Sequence, residues 1–426
     1  MRAFRRALAA CAVTVMVGAA LAACASEELR EYVPPEQSTE ALPEVLRAQL
    51  DDALIHAVEV SAATGAIAGV WLPEAGMWVA GTGTQSVDDA RPVLPEQSFR
   101  IAGLTRLMTC DVLHRVAEEG ALSLSDAVAD WVSGVGSLSG ATLGQLCDGT
   151  SGLGSSAEQL AAIWGSNPER VWSPLELAGH GISRFDASAR GSYRDSDAGY
   201  VLLGLALERA TGRTASELLA RYVTGPLGLT DTFLPGPAPA DPGPDPLRGH
   251  VVDTPDGERV CEAARDVTRL SASAGFTDAG VVSTVADLGR YLRAAASASL
   301  FPETAEARFG APVEVSPTDP TWRRAIGGAQ FAGPLIGQFG SVPGYSVAGF
   351  SDPETGLTVA VVLNDSTDGA TPALYLALEL AALAAQAPTD GGTPLALPFT
   401  AMSYHEALDA LPPCVPASAP EEEESE

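Results

Sequence analysis

The sequence predicts an α+β domain whose antiparallel sheet combines segments from both ends of the chain and is flanked by helices. Strand-like runs at 66–72 and 77–81 surround a Pro-Glu-Ala-Gly turn, and runs at 345–350 and 357–363 surround Asp-Pro-Glu-Thr-Gly. Both arrangements are typical of β-hairpins. Of the 426 residues, 46% are apolar, which is enough for a sizeable core. Because strands occur near both ends around a helical middle, the terminal segments must meet in one sheet.

The helices follow from apolar residues that recur at a spacing of three and four. Between 235 and 246 the chain is rich in proline and has no such period, which predicts a loop. The predicted helices are 46–58, 104–120, 199–219 and 372–386.

The charge balance excludes several functions. The chain has 54 acidic and 25 basic residues, a net charge of −29, and every basic residue is arginine. Nucleic acids and anionic lipid surfaces bind clustered Lys/Arg, so we expect neither as an electrostatic partner. A chain without lysine also cannot use a lysine base, nucleophile or Schiff base.

The first 23 residues are typical of an export signal. Arg2, Arg5 and Arg6 precede a run of small apolar residues that ends Leu-Ala-Ala-Cys24. This ending resembles the lipobox of bacterial lipoproteins, which implies that Cys24 becomes the lipidated N-terminus on the outer face of the cell membrane. The predicted order is a signal at 1–23, a tether at 24–43, a domain at 44–398 and a tail at 399–426 with a disordered acidic end.

Cysteine and histidine spacing gives weaker predictions. Cys11 leaves with the signal and Cys24 is the anchor, so Cys110, Cys147, Cys261 and Cys414 remain in a compartment that permits disulfides. Three pairings of these four are open. The five histidines are scattered without metal-ligand spacing, so we expect no metal site and no cofactor.

Several segments, in chain order, resemble the serine β-lactamase and D-alanyl-D-alanine carboxypeptidase superfamily, on its class C-like branch. The resemblance spans about 46–385 and implies the fold of that family. It rests on Phe99–Arg106, Val116–Leu124, Ala141–Leu146, Thr150–Leu153, Gly199–Gly204, Pro226–Thr232, Gly280–Thr284 and Pro343–Tyr345.

Members of this superfamily use three motifs, S-x-x-K, Y-x-N and K/H-x-G, in which the serine attacks a carbonyl and the lysine and tyrosine move its proton. Almost none of these residues is present here. The six signature positions are occupied by Gly103 and Arg106, Asp195 and Asp197, and Gln338 and Gly340. Tyr193 lies two residues before Asp195, so a shift in register remains an alternative for the second motif.

The resemblance implies further features. The oxyanion hole would be formed by the backbone N–H groups of Gly103 and Ser341, which do not depend on side chains. Cys110 would pair with Cys147 on the neighbouring helix, which leaves Cys261 for Cys414. Because Arg106 replaces a lysine that lies beside the second motif, we expect an ion pair between Arg106 and Asp197, with Asp195 as an additional partner.

Two functions are compatible with these residues. The first is a catalytically inactive exported lipoprotein that binds a peptidoglycan peptide or an envelope protein, as a monomer. Glycine has no atom that can attack a carbonyl, and arginine remains protonated, which favours this interpretation. The alternative is an active serine hydrolase of the β-lactamase, carboxypeptidase or esterase type that uses rearranged residues.

Overall fold

The computed structural model describes residues 36–387 and 395–416. The predicted signal at 1–23, the lipidation site Cys24 and the acidic end at 417–426 lie outside the described residues. Within the described ranges, no helix has the length and apolar character that crossing a membrane requires.

The centre of the domain is an eight-stranded antiparallel sheet. Its strand order is β2-β1-β12-β11-β10-β9-β8-β7, so the N-terminal hairpin pairs directly with the last strand through β1 and β12. Two small two-stranded sheets, β3-β6 and β4-β5, lie outside it. The strands are β1 Gly65–Leu72, β2 Gly76–Gly83, β3 Phe99–Arg100, β4 His250–Asp253, β5 Val260–Asp266, β6 Val282–Ser283, β7 Val313–Glu314, β8 Arg323–Ile326, β9 Ala329–Ala332, β10 Leu335–Val342, β11 Tyr345–Ser351 and β12 Thr358–Leu363.

The helices occupy the long middle segment and both ends of the domain. They are α1 Glu44–Val60, α2 Thr105–Glu118, α3 Val128–Trp131, α4 Leu143–Cys147, α5 Ala157–Ser166, α6 Pro174–Ile182, α7 Asp197–Thr211, α8 Ala215–Leu219, α9 Gly225–Leu227, α10 Phe276–Ala279, α11 Val285–Ala296, α12 Ala305–Phe309, α13 Thr371–Ala384 and α14 Ala401–Asp409.

Helices cover the central strands of the sheet on both faces. Alternate residues of β1, such as Ala68 and Val70, share a core cluster with α1 and α13. On the opposite face the Trp71 indole lies against Gly289 of α11, where a Cβ would approach it to 2.6 Å. The strands β1 and β12 are therefore buried throughout, which explains their continuous apolar sequences.

The predicted α+β architecture is confirmed, but the predicted helix at 199–219 is two helices. α7 ends at Thr211 because Gly212 adopts a left-handed conformation with φ of 68°. Thr214 then begins α8 with a capping box that includes Glu217. The Gly-Arg-Thr sequence between them is typical of one helix ending and another beginning, but the apolar periodicity continues across it and therefore predicted a single helix.

The described ends of the chain pack against the domain. In the segment predicted as a tether, Leu42 is buried and Ser38 N–H donates to the Pro73 carbonyl at 2.9 Å. In the segment predicted as a tail, α14 packs on α13 and α1. The structure joins Cys110 to Cys147 and Cys261 to Cys414, which are the two pairings that the resemblance implied.

Candidate functional site

Two glycines allow the start of α2 to approach β10 very closely. Gly103 lies in a short 3₁₀ turn, Ala102–Leu104, in which Ala102 has a φ of 47°. A Cβ at Gly103 would lie 2.7 Å from the Phe339 carbonyl oxygen, and one at Gly340 would lie 2.5 Å from the Gly103 nitrogen. Neither separation is compatible with a side chain unless the backbone moves.

This contact forms the floor of a cavity of about 340 Å³. The cavity is bounded by the start of α2, the segment before α7, α10 and the strands β8 to β10. The structure brings all six signature positions and the expected oxyanion residue to its wall: Gly103, Arg106, Asp195, Asp197, Gln338, Gly340 and Ser341.

Arg106 pairs with two carboxylates inside the cavity. Its Nη1 lies 2.5 Å from Asp195 Oδ1, and its Nε lies 2.7 Å from Asp278 Oδ1. The guanidinium carbon also lies 4.9 Å from the centre of the Tyr200 ring. Asp278 belongs to α10 and matches no motif, so sequence reasoning missed it.

The predicted ion pair between Arg106 and Asp197 is wrong, whereas the partnership with Asp195 is confirmed. Asp197 is the first residue of α7, and its carboxylate accepts hydrogen bonds from the Ser156 backbone N–H, at 2.7 Å, and from the Ser156 hydroxyl. A carboxylate with two donors at a helix N-terminus is well satisfied without a cation.

The electrostatics of this network exclude proton abstraction by Arg106. Burial by itself would lower the pKa of Arg106, but the charges of Asp195 and Asp278 outweigh it and raise that pKa well above its usual value. Burial raises the pKa of Asp278 to about 6, even though Arg106 opposes that shift. Arg106 is thus a permanent cation, and Asp278 changes charge near pH 6.

Tyr193 also lies in the cavity wall, so a tyrosine is present near the second motif. Its hydroxyl accepts a hydrogen bond from Gln330 Nε2 at 2.8 Å and donates to Asp195 Oδ1 at 3.3 Å. Burial and the neighbouring Asp195 raise the pKa of Tyr193 well above its usual value. The phenol therefore stays protonated at neutral pH and is not a base there.

The third-motif position carries a neutral side chain bonded within the protein. Gln338 is buried, its Nε2 donates to the Gly328 carbonyl at 2.8 Å, and its Oε1 accepts from the Phe339 N–H at 2.9 Å. A cation nevertheless lies at the same wall, because the Arg323 guanidinium carbon is 5.3 Å from the centre of the Phe339 ring. Arg323 lies on β8, outside the third motif, so the motif did not predict that this arginine would line the cavity.

The cavity thus lies between the start of α2 and the strands β8 to β10, with all six positions of the three motifs on its wall, as the resemblance implied. The family model described as Beta-lactamase matches residues 50–383, and the chain belongs to this family. The six positions that the resemblance gives to the three motifs all line this one cavity.

Curated relatives include a peptidase and an esterase. The chain is 26% identical over 234 residues to the D-alanyl-D-alanine-carboxypeptidase/endopeptidase AmpH of Escherichia coli, a match that covers 53% of this chain and 55% of AmpH. It thus spans about half the length of that relative. It is 27% identical over 385 residues to the esterase EstB of Burkholderia gladioli, covering 78% of this chain and 94% of EstB.

Solved structures share the fold at low sequence identity. A D-stereospecific amidohydrolase from Streptomyces sp. has a TM-score of 0.65 and 23% identity, and the match covers 75% of this chain and 95% of that one. A penicillin-binding protein homologue from Pyrococcus abyssi has a TM-score of 0.65 and 22% identity, covering 80% and 77%.

Proposed function

We propose that this protein is a non-acylating member of the β-lactamase family, exported and lipid-anchored through Cys24, that binds a cell-wall peptide in the cavity above Gly103. The proposal is supported by Gly103, which occupies the position that the resemblance gives to the nucleophile. Arg106 occupies the position of the base and is paired with two carboxylates. In a triad hydrolase, removal of the nucleophile lowers turnover by about 10⁶-fold.

The cavity keeps the features that bind a peptide end. Gly103 and Ser341, whose backbone N–H groups the resemblance assigns to the oxyanion hole, both line the cavity. Arg323, stacked on Phe339, supplies a fixed positive charge beside the third-motif position. Similarity to a carboxypeptidase favours a peptide with a free carboxylate over a partner protein.

Labelled penicillin and an activated ester test the absence of acylation. We expect no covalent adduct on the purified protein under conditions in which an active family hydrolase, run in parallel, is labelled to completion. A stoichiometric adduct mapped by mass spectrometry to any cavity residue would refute the proposal.

Calorimetry with purified muropeptides tests the ligand. We expect Arg323→Gln to weaken binding by about tenfold or more, the effect of losing one charge-assisted hydrogen bond. Arg324→Gln is the matched control, because the neighbouring Arg324 faces Phe331 and does not line the cavity. Equal affinities for both variants, or no muropeptide binding at all, would contradict the assignment.

The alternative function is a hydrolase with rearranged residues. It is favoured by the hydroxyl of Ser341, which lines the cavity. The same acylation experiment decides between the two functions, since a hydrolase of this kind would carry its adduct on Ser341 or another cavity hydroxyl.

A further inference from the structure

A second cluster of titratable side chains lies between three helices and includes no residue of the cavity wall. His56 of α1, Glu379 of α13 and His405 of α14 each offer a ligand-capable atom, and these atoms lie within 4.8 Å of one another. The scattered histidine spacing predicted no metal site. The fold changes that expectation because it joins residues more than 300 positions apart.

The tautomer of His56 is set by Asp409. Nε2 of His56 lies 2.9 Å from Asp409 Oδ1, so this nitrogen carries the hydrogen and donates it. The lone pair then belongs to Nδ1, which is buried and has no hydrogen-bond partner in the described part of the chain. A carboxylate that orients the far nitrogen of an imidazole is typical of metal-binding histidines.

One carboxylate oxygen of Glu379 is a second buried acceptor that has no hydrogen-bond donor among the residues that the structure describes. The residue is 4% exposed, and its Oε1 lies 3.0 Å from His405 Nδ1. Its Oε2 is buried and has no partner among the described residues. A buried carboxylate oxygen and a buried imidazole lone pair are both costly when unsatisfied, and a cation satisfies both at once.

We propose that His56, Glu379 and His405 bind a divalent transition-metal ion, with zinc as the best fit, and that Asp409 positions His56. Two imidazoles and one carboxylate suit Zn²⁺, whereas Ca²⁺ and Mg²⁺ prefer oxygen ligands. The fourth ligand is water, because the His405 side chain is 36% exposed.

Metal binding requires the His405 ring to move. The rings of His56 and His405 stack, with centroids 3.9 Å apart and planes 18° apart. Imidazole lone pairs lie in the ring plane, so the more exposed His405 must tilt until both lone pairs converge on one point. The bound ion would fasten α14 to α1 and α13, next to the part of the chain that Cys414 ties to Cys261.

The test uses the untagged full chain, treated with a chelator and dialysed. We expect calorimetry with Zn²⁺ to show one site per chain and a rise in Tm, and Co²⁺ to give the visible spectrum of a four-coordinate nitrogen and oxygen site. His56→Gln and Glu379→Gln should each lower affinity at least 100-fold, and Asp409→Asn should lower it about 10- to 100-fold.

His180→Gln is the matched control, since His180 lies on α6 outside the cluster, and it should bind as the unmodified chain does. Circular dichroism without metal establishes that each variant is folded. The proposal is overturned if Zn²⁺ leaves Tm unchanged, if the Co²⁺ spectrum is that of the aqueous ion, or if folded cluster variants retain the original affinity. It is also overturned if His180→Gln abolishes binding.

Discussion

Replacement of Arg106 by alanine should be among the most destabilising changes in the cavity. The cost comes from Asp278, whose side chain is 12% exposed, rather than from Asp195, which is 53% exposed and can be solvated. Removal of one partner from a buried ion pair costs about 3–5 kcal/mol, because the other charge remains buried. We therefore expect the free energy of unfolding of Arg106→Ala to be lower than that of the unmodified chain by this amount at pH 8.

The loss should depend on pH. Burial raises the pKa of Asp278 to about 6, above its value in the unfolded chain, so ionised Asp278 destabilises the fold. This contribution is small below the unfolded pKa and grows as pH rises through 6. Without Arg106 the pKa of Asp278 rises further, so Asp278 is neutral at pH 5 in the folded variant. The loss in free energy of unfolding caused by Arg106→Ala is therefore smaller at pH 5 than at pH 8.

Urea unfolding at pH 5 and pH 8 measures both effects. Arg115→Ala is the matched control on the same helix, since its pair with Glu118 is partly exposed and is worth about 0–1 kcal/mol. The double variant Arg106→Ala/Asp278→Asn should recover much of the loss at pH 8. A deficit below about 1 kcal/mol at pH 8, or an equal deficit at the two pH values, would refute this reasoning.

Three further results are expected. Gly103→Ser should destabilise the fold by about 1–3 kcal/mol in urea unfolding, because its Cβ would meet the Phe339 carbonyl at 2.7 Å; an unchanged midpoint would contradict the close approach. Replacing Cys261 and Cys414 together by serine should lower the free energy of unfolding by about 5 kcal/mol on the chain-entropy model, because this bond closes a span of 153 residues. The measurement is the unfolding midpoint with and without reductant, and these two midpoints should differ less than they do in the unmodified chain. Burial raises the pKa of Asp365 to about 6, so Asp365→Asn should gain about 1–3 kcal/mol of stability at pH 8 relative to pH 5; a gain that is equal at both pH values would point to another cause.

The sheet could be predicted because its signals are local and strong. Both hairpins contain proline and glycine between apolar runs, and α13 has an almost uninterrupted Ala/Leu sequence. The break between α7 and α8 was missed because apolar spacing continues across Gly212, and only its positive φ ends the helix. The packing of residues 36–43 was missed because a polar segment carries no period that reveals its contacts.

Of the cavity, the sequence predicted which motif residues lie on the wall but not all of the contacts that they make. Counting residues placed Gly103, Arg106 and Gln338 correctly at one wall. It predicted Asp195 as a partner of Arg106, but it could not exclude Asp197 or find Asp278. These depend on the direction in which α7 begins and on a residue of α10 about 170 positions away. The cluster for which we propose metal binding could not be predicted for the same reason, because its three members lie on helices that meet only in the folded chain.

The hydrogen bonds within the cavity support the proposal above that it is a binding site and not a catalytic site whose residues have decayed. Random loss of catalytic residues would leave buried charges and amides without partners, and each of these costs about 1–3 kcal/mol. Instead, Arg106 has two carboxylates, Asp197 has two donors, and both ends of the Gln338 amide are bonded. Gln330 and Trp164 are exceptions. Gln330 Nε2 donates to the Tyr193 hydroxyl, whereas the buried Gln330 Oε1 and the buried Trp164 Nε1 have no partner within the described residues. We therefore expect the proposed peptide to be oriented mainly by its carboxylate, which would lie toward the guanidinium of Arg323 at the cavity wall.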